Sequence, residues 1–212
     1  MSHELNLLLV GATGAVGTAV LEQALERREI RRITAPTRRP LARRAAKLEN
    51  PVLDLGVLTG DEDFWACDAV VCTLGTTIRA AGSQAAFARV DRDLPILVGH
   101  FAKAGGATRY ALNSSLGASS KGNFYLRTKA EAEQGIIDLG FASTTIVRPS
   151  LIDAEREESR PAEHLGVLFA RALKPVIPKK YRAVTQQQIA QALMRGVLDG
   201  APGVRIVESD AL

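Results

Sequence analysis

Short apolar runs alternate with longer amphipathic stretches along the whole chain. The runs Leu5–Val10, Arg32–Ala35, Pro51–Asp54, Ala69–Thr73, Arg109–Asn113, Thr144–Arg148 and Val204–Val207 read as strands. Several are continuously apolar, the pattern of strands buried on both faces of a parallel sheet. Between them, Gly14–Arg28, Ser83–Ala104, Asn123–Leu139, Ala162–Leu173 and Gln186–Leu198 read as helices. Leu139-Gly140 and Ala104-Gly105-Gly106 mark helix ends. Thr185 with Gln188 forms a capping box, and Val184 with Ile189 supplies the hydrophobic staple beside it. This alternation predicts an α/β fold: a doubly wound parallel Rossmann sheet with helices on both faces.

The first junction is the most informative. The strand Leu5–Val10 runs directly into Gly11-Ala12-Thr13-Gly14-Ala15-Val16-Gly17. A glycine-rich turn between a strand and a helix aims backbone N–H groups and the positive helix end at a phosphate. Gly11 makes the sharp turn, Gly14 lets a ligand approach the backbone, and Gly17 lets helix and strand pack closely. The spacing is G-x-x-G-x-x-G, one residue longer at the first interval than the standard dinucleotide fingerprint.

Composition narrows the setting. With 212 residues, 46% of them hydrophobic, the chain suits a single domain with a substantial core. No apolar run reaches the ~20 residues of a membrane span. The segment Met1-Ser2-His3-Glu4 lacks the features of a secretory signal, so a soluble cytoplasmic protein is expected. Cys67 and Cys72 read as small buried hydrophobes in a reducing compartment, and no metal site is expected from them with His3, His100 or His164. The net charge of +4 raises nucleic-acid binding as a question. The arginines at 27, 28, 31, 32, 38, 39, 43 and 44 fall in one early region, but aromatics are only 5% and no recognition motif is present. A solvated basic face is therefore expected, with no nucleic-acid partner.

Three further segments carry candidate chemistry. In Tyr125-Leu126-Arg127-Thr128-Lys129, Tyr125 and Lys129 fall one turn apart on a single helix face. A neighbouring ammonium favours the phenolate, and a tyrosine tuned in this way exchanges a proton with a carbonyl or alcohol oxygen. The preceding strand ends Asn113-Ser114-Ser115, where a serine is placed to bind that same oxygen. After the second strand, Thr37-Arg38-Arg39-Pro40 puts two arginines where an NAD enzyme usually carries an acid. Guanidinium groups grip a 2′-phosphate, which favours NADP(H). In Cys72-Thr73-Leu74-Gly75-Thr76-Thr77, Gly75 permits close backbone approach at the expected cofactor crevice, and Asp54-Leu55 is placed to flank the adenine.

These motifs resemble the atypical short-chain dehydrogenase/reductases. The segments Leu74–Thr77, Ala85–Asp93 (AAFARVDRD), Ala102–Gly106 (AKAGG) and Arg148–Pro161 (RPSLIDAEREESRP) are similar to the Tat-interacting-protein subgroup of that superfamily, over nearly the whole chain. The resemblance implies one NADPH-binding Rossmann domain over residues 1–212, with 149–183 forming a small substrate cap. The implied cofactor contacts are Gly11, Thr13, Gly14, Ala15, Val16 and Gly17 in the turn, Arg38 and Arg39 at the 2′-phosphate, Leu74 and Gly75 along the cofactor, and Tyr125 and Lys129 at the nicotinamide ribose. Ile152 and Arg160 match positions that close over the nicotinamide side. Ser115 matches the catalytic serine, with Ser114 as the alternative.

The chain also departs from the family pattern. Many of these enzymes carry an asparagine on the helix after the fourth strand, where this chain has Asp91. An ionised carboxylate accepts but does not donate, which argues against a proton relay through that helix. The segment LGASSKGNF between Ser115 and Tyr125 is short, which bears on the reach of the serine. The small cap argues against a nucleotide-sugar epimerase. The expected activity is NADPH-dependent reduction of a small carbonyl compound, with Tyr125, Lys129 and Ser115 as the catalytic set. The alternative is an NADPH-binding regulatory or sensor protein with little turnover. Assembly is left open, with a homodimer through helices Ser83–Ala104 and Asn123–Leu139 as the arrangement this superfamily often uses.

Overall fold

A computed structural model describes residues 4–150, 152–153 and 178–212. The expected helix Ala162–Leu173, the charged segment with Arg160, and most of the expected cap lie outside the described residues. Seven parallel strands form one sheet in the order β3-β2-β1-β4-β5-β6-β9. These are β1 (Leu5–Val10), β2 (Ile30–Thr34), β3 (Leu48–Glu49), β4 (Ala69–Cys72), β5 (Arg109–Asn113), β6 (Ser143–Arg148) and β9 (Gly203–Glu208). A separate parallel pair joins β7 (Ile152–Asp153) to β8 (Val184–Thr185). The order reverses between β1 and β4, so a crevice opens at their carboxyl ends.

The central strand is buried on both faces. Leu7 and Leu9 join one core cluster, with Val16 and Val20 of α1 (Ala15–Glu26) and Ile189, Leu193 and Val197 of α6 (Gln186–Asp199). Leu8 and Val10 join the other, with Val98 of α4 (Leu94–Ala104) and Ile136 of α5 (Phe124–Asp138). Alternation along β1 thus sends successive side chains to opposite layers. The capping box of Thr185 and Gln188 is present at the start of α6, and the staple residues Val184 and Ile189 are both buried beside it. Among the described residues, no helix is long and apolar enough to cross a membrane.

Two elements differ from expectation. The run Pro51–Asp54 is not a strand: β3 ends at Glu49, and pairing continues only as a bridge between Thr37 and Val52. Pro51 has no N–H to donate to a ladder. The Asn50 side chain instead bonds the Ala35 carbonyl, Thr37 Oγ1 and the Leu41 N–H. The expected helix Ser83–Ala104 is interrupted. It consists of α3 (Gln84–Ala88), a π-helical turn at Arg89–Asp93, and then α4. A short α2 (Ile78–Ala81) precedes it. Pro95 in the first turn of α4 lacks the donor for a regular bond to the preceding turn, and the widened turn lies immediately upstream.

Candidate active site and cofactor crevice

The glycine turn forms one wall of the crevice. Gly11 has φ +93°, and a Cβ there would lie 2.8 Å from the Thr73 carbonyl carbon and 2.9 Å from the Leu74 nitrogen. A Cβ on Gly17 would lie 2.0 Å from the Gly11 carbonyl oxygen, so only glycine lets α1 fold back onto the turn. Gly14 caps α1 without a side-chain hydrogen bond, and no acidic residue occupies the first turn. The leading N–H groups of α1 therefore stay open to an anion. Thr13 and Gly14 line the crevice. Val16 is 5% exposed, so its side chain belongs to the core, and Val16 can offer a ligand only its backbone.

The crevice is a cavity of about 560 Å³, within the range of small-molecule and cofactor sites. Its walls combine the glycine turn, the loop after β2 with Pro36, Thr37 and Arg38, and the loop after β4 with Thr73, Leu74 and Gly75. Asp54 and Leu55 also line it, but from a short turn and not from the end of a strand: Asp54 Oδ1 accepts from the Gly56 N–H at 2.9 Å. Arg38 and Arg39 are both exposed, and only Arg38 is among the cavity-lining residues. The Arg39 carbonyl accepts from Thr37 Oγ1 at 2.6 Å, closing the turn that presents its neighbour.

Tyr125 and Lys129 do share one face of α5, but Lys129 is engaged elsewhere. Its Nζ lies 2.7 Å from Asp91 Oδ1, and both side chains are almost fully buried. Asp91 Oδ2 accepts from the Thr76 N–H at 2.9 Å. Asp91 thus ties the lysine to the loop after β4, a structural task that the expectation of an interrupted relay did not contain. Gly75 stands beside the pair: a Cβ there would lie 4.0 Å from Lys129 Nζ. The Tyr125 ring packs against Phe87, centroid to centroid 5.5 Å. No ion or hydrogen-bond contact joins the phenol to Lys129 among the described residues.

The two serines separate. Ser114 is buried, and its Oγ donates to Glu133 Oε1 at 2.5 Å. Ser115 is half-buried, and its hydroxyl makes only a 3.5 Å contact to the Leu116 carbonyl. Glu133 also receives two bonds from Arg148, at 2.9 and 2.5 Å, and Arg148 reaches Glu208 at 3.0 Å. Hydrogen bonds donated to Glu133, more than that donated to Glu208, raise the Arg148 guanidinium further above its already high range. This cluster, like the Asp91 pair, was missed at the level of sequence. The signal available was that Glu133 repeats the four-residue interval from Tyr125 to Lys129. Ile152 sits in β7, paired with Val184, and Arg160 is outside the described residues.

A family described as NAD(P)H-binding matches residues 11–199. The Protein HTATIP2 of Rattus norvegicus is 32% identical over 215 residues, covering 98% of this chain and 87% of that protein. The chain belongs to this NAD(P)H-binding family, in the HTATIP2-like branch of the atypical short-chain dehydrogenase/reductases. Another member, the mitochondrial protein fmp52 of Emericella nidulans, is 37% identical over 181 residues, covering 81% of this chain and 77% of its own length. Among solved structures, MoeE5 in complex with UDP-glucose and NAD superimposes with a TM-score of 0.71 at 17% identity, covering 95% of this chain and 74% of that one. A short chain dehydrogenase family protein from Francisella tularensis aligns over 98% of both chains with a TM-score of 0.62 at 15% identity. These likenesses establish the shared Rossmann-like fold.

Proposed function

We propose that this family member is an NADP(H)-dependent reductase of a small carbonyl compound. The observation that carries the reading is the convergence at one crevice of an uncapped glycine turn, the Arg38 guanidinium and the buried Lys129 ammonium beside Gly75. The glycine turn fits a pyrophosphate, because the leading N–H groups of α1 carry no side-chain cap and no acidic residue stands in its first turn. Arg38 holds a 2′-phosphate with charge-assisted hydrogen bonds, and Arg39 adds positive field from the same turn. Leu74 and Gly75 form the wall along which the cofactor lies. The nicotinamide supplies hydride chemistry when bound. Tyr125 gives a proton to the substrate oxygen, and Ser115, the freer of the two serines, orients that oxygen. Lys129, fixed by Asp91, holds the ribose side. Ile152 and Arg160 are assigned to the nicotinamide side on family resemblance.

The test is to screen purified protein for NADPH oxidation against aldehydes, ketones and quinones, with NADH in parallel. Turnover with a preference for NADPH is expected, and Tyr125→Phe should lower kcat by at least about 100-fold. A tight NADPH complex with no turnover on any class would favour the sensor reading. The cytoplasm is the location proposed, and the two buried free thiols, Cys67 and Cys72, fit a reducing compartment. Relatives named as mitochondrial make cell fractionation the appropriate check.

A further inference from the structure

The crevice contains an arginine that the cofactor motifs do not account for. Arg89 belongs to the π-helical turn between α3 and α4 and lines the cavity. Its Nη2 donates to the Gly56 carbonyl at 3.2 Å. Gly56 is also the residue whose N–H is held by Asp54. One short loop thus anchors both a guanidinium and a carboxylate at this end of the cavity. Leu55 and Val90, the chain neighbours of Asp54 and Arg89, line the same cavity with Ala86 and add apolar side chains to it.

We infer that Arg89 anchors the adenine base of the bound dinucleotide, an assignment that rests on the NADP(H) reading above. Apolar side chains beside one planar cation suit a flat aromatic base, over which guanidinium groups stack favourably. The Asp54 carboxylate on the same loop disfavours a phosphate dianion there, so the 2′-phosphate belongs to Arg38 on the loop after β2. The widened turn assists. Regular helical spacing turns successive side chains about 100° apart. Here three consecutive residues serve the crevice: Arg89 and Val90 line the cavity, while Asp91 holds Lys129 and Thr76. π-helical turns recur at functional sites for this kind of reason.

The experiment is titration calorimetry of NADPH and NADH against the full-length wild type, Arg89→Ala, Arg89→Met and Arg38→Ala, with thermal melts to verify folding. Both Arg89 variants should raise Kd for NADPH and NADH by the same factor, about tenfold. The methionine variant keeps an apolar stem against the base, so its loss isolates the guanidinium. Arg38→Ala should weaken NADPH far more than NADH. Folded Arg89 variants that bind both dinucleotides within about twofold of wild type overturn the assignment. So does a loss confined to NADPH, which would make Arg89 a phosphate ligand. Wild-type protein that binds neither dinucleotide overturns the cofactor reading, and this inference with it.

Discussion

Gly17 is the most confined glycine among the described residues, because its missing Cβ would sit 2.0 Å from the Gly11 carbonyl oxygen. That oxygen also accepts from the Gly14 N–H at 3.0 Å, so it cannot retreat without opening the turn. Gly17→Ala should therefore destabilise the fold by about 1–3 kcal/mol despite alanine's better helix propensity. Urea denaturation measures this, and wild-type stability would remove the steric account of the turn. Cys67 makes a different point. Burial pushes its thiol from 9.0 up to about 12. A thiol whose folded pKa is raised keeps its proton while the unfolded chain releases it, so stability is unaffected below the unfolded value and falls as pH rises from about 9 to 12. The same protection should leave native Cys67 unreactive to iodoacetamide at pH 8. Rapid labelling of the native protein at that pH would contradict it.

At the scale of elements, the sheet is bound to α5 by charge as well as by apolar packing. Glu133 on α5 accepts from Ser114 at the end of β5 and from Arg148 on β6, and Arg148 continues to Glu208 on β9. Three elements meet at one carboxylate that is 3% exposed, and Arg148 adds β9 as a fourth. Glu133→Ala leaves the Arg148 guanidinium with one partner fewer and should cost about 3–5 kcal/mol, the scale of a broken buried pair. Glu133→Gln retains the shape and some hydrogen bonding and should cost less. Chemical denaturation separates the two, and equal losses would mean that charge contributes nothing. On the proposed role of Ser115 in orienting a carbonyl oxygen, and because Ser114 adjoins it, Glu133→Gln should also raise KM more than it lowers kcat. The π-helical turn is the other element with a task, since it joins the cavity wall to the Asp91–Lys129 pair.

For the whole molecule, the site follows from strand order. The reversal between β1 and β4 brings residues far apart in the chain, Gly11, Arg38, Gly75 and Lys129, to one end of the sheet. Cofactor binding acts on this assembled state alone. Saturating NADPH, at about 100 times its Kd, should add about 2.7 kcal/mol to folding stability. A thermal shift that grows with the logarithm of NADPH concentration would register it, and its absence would mean that the crevice does not bind the dinucleotide.

Much of this was legible in the chain itself. Continuous apolar runs determined a parallel sheet, because strands covered on both faces have no solvent side to mark with polar residues. The glycine spacing and the Tyr125–Lys129 interval are local signals, and local geometry is what sequence encodes most directly. The end of β3 and the break in the helix before α4 were less legible, because the proline effects depend on neighbouring hydrogen bonds. The partners of the buried charges were decided only by tertiary structure. Asp91 and Lys129 are 38 positions apart, Ser114 and Glu133 are 19, and Arg148 and Glu208 are 60. Carboxylates at such distances find their cations through the packing of the sheet and its helices, and no periodicity in the chain records that choice.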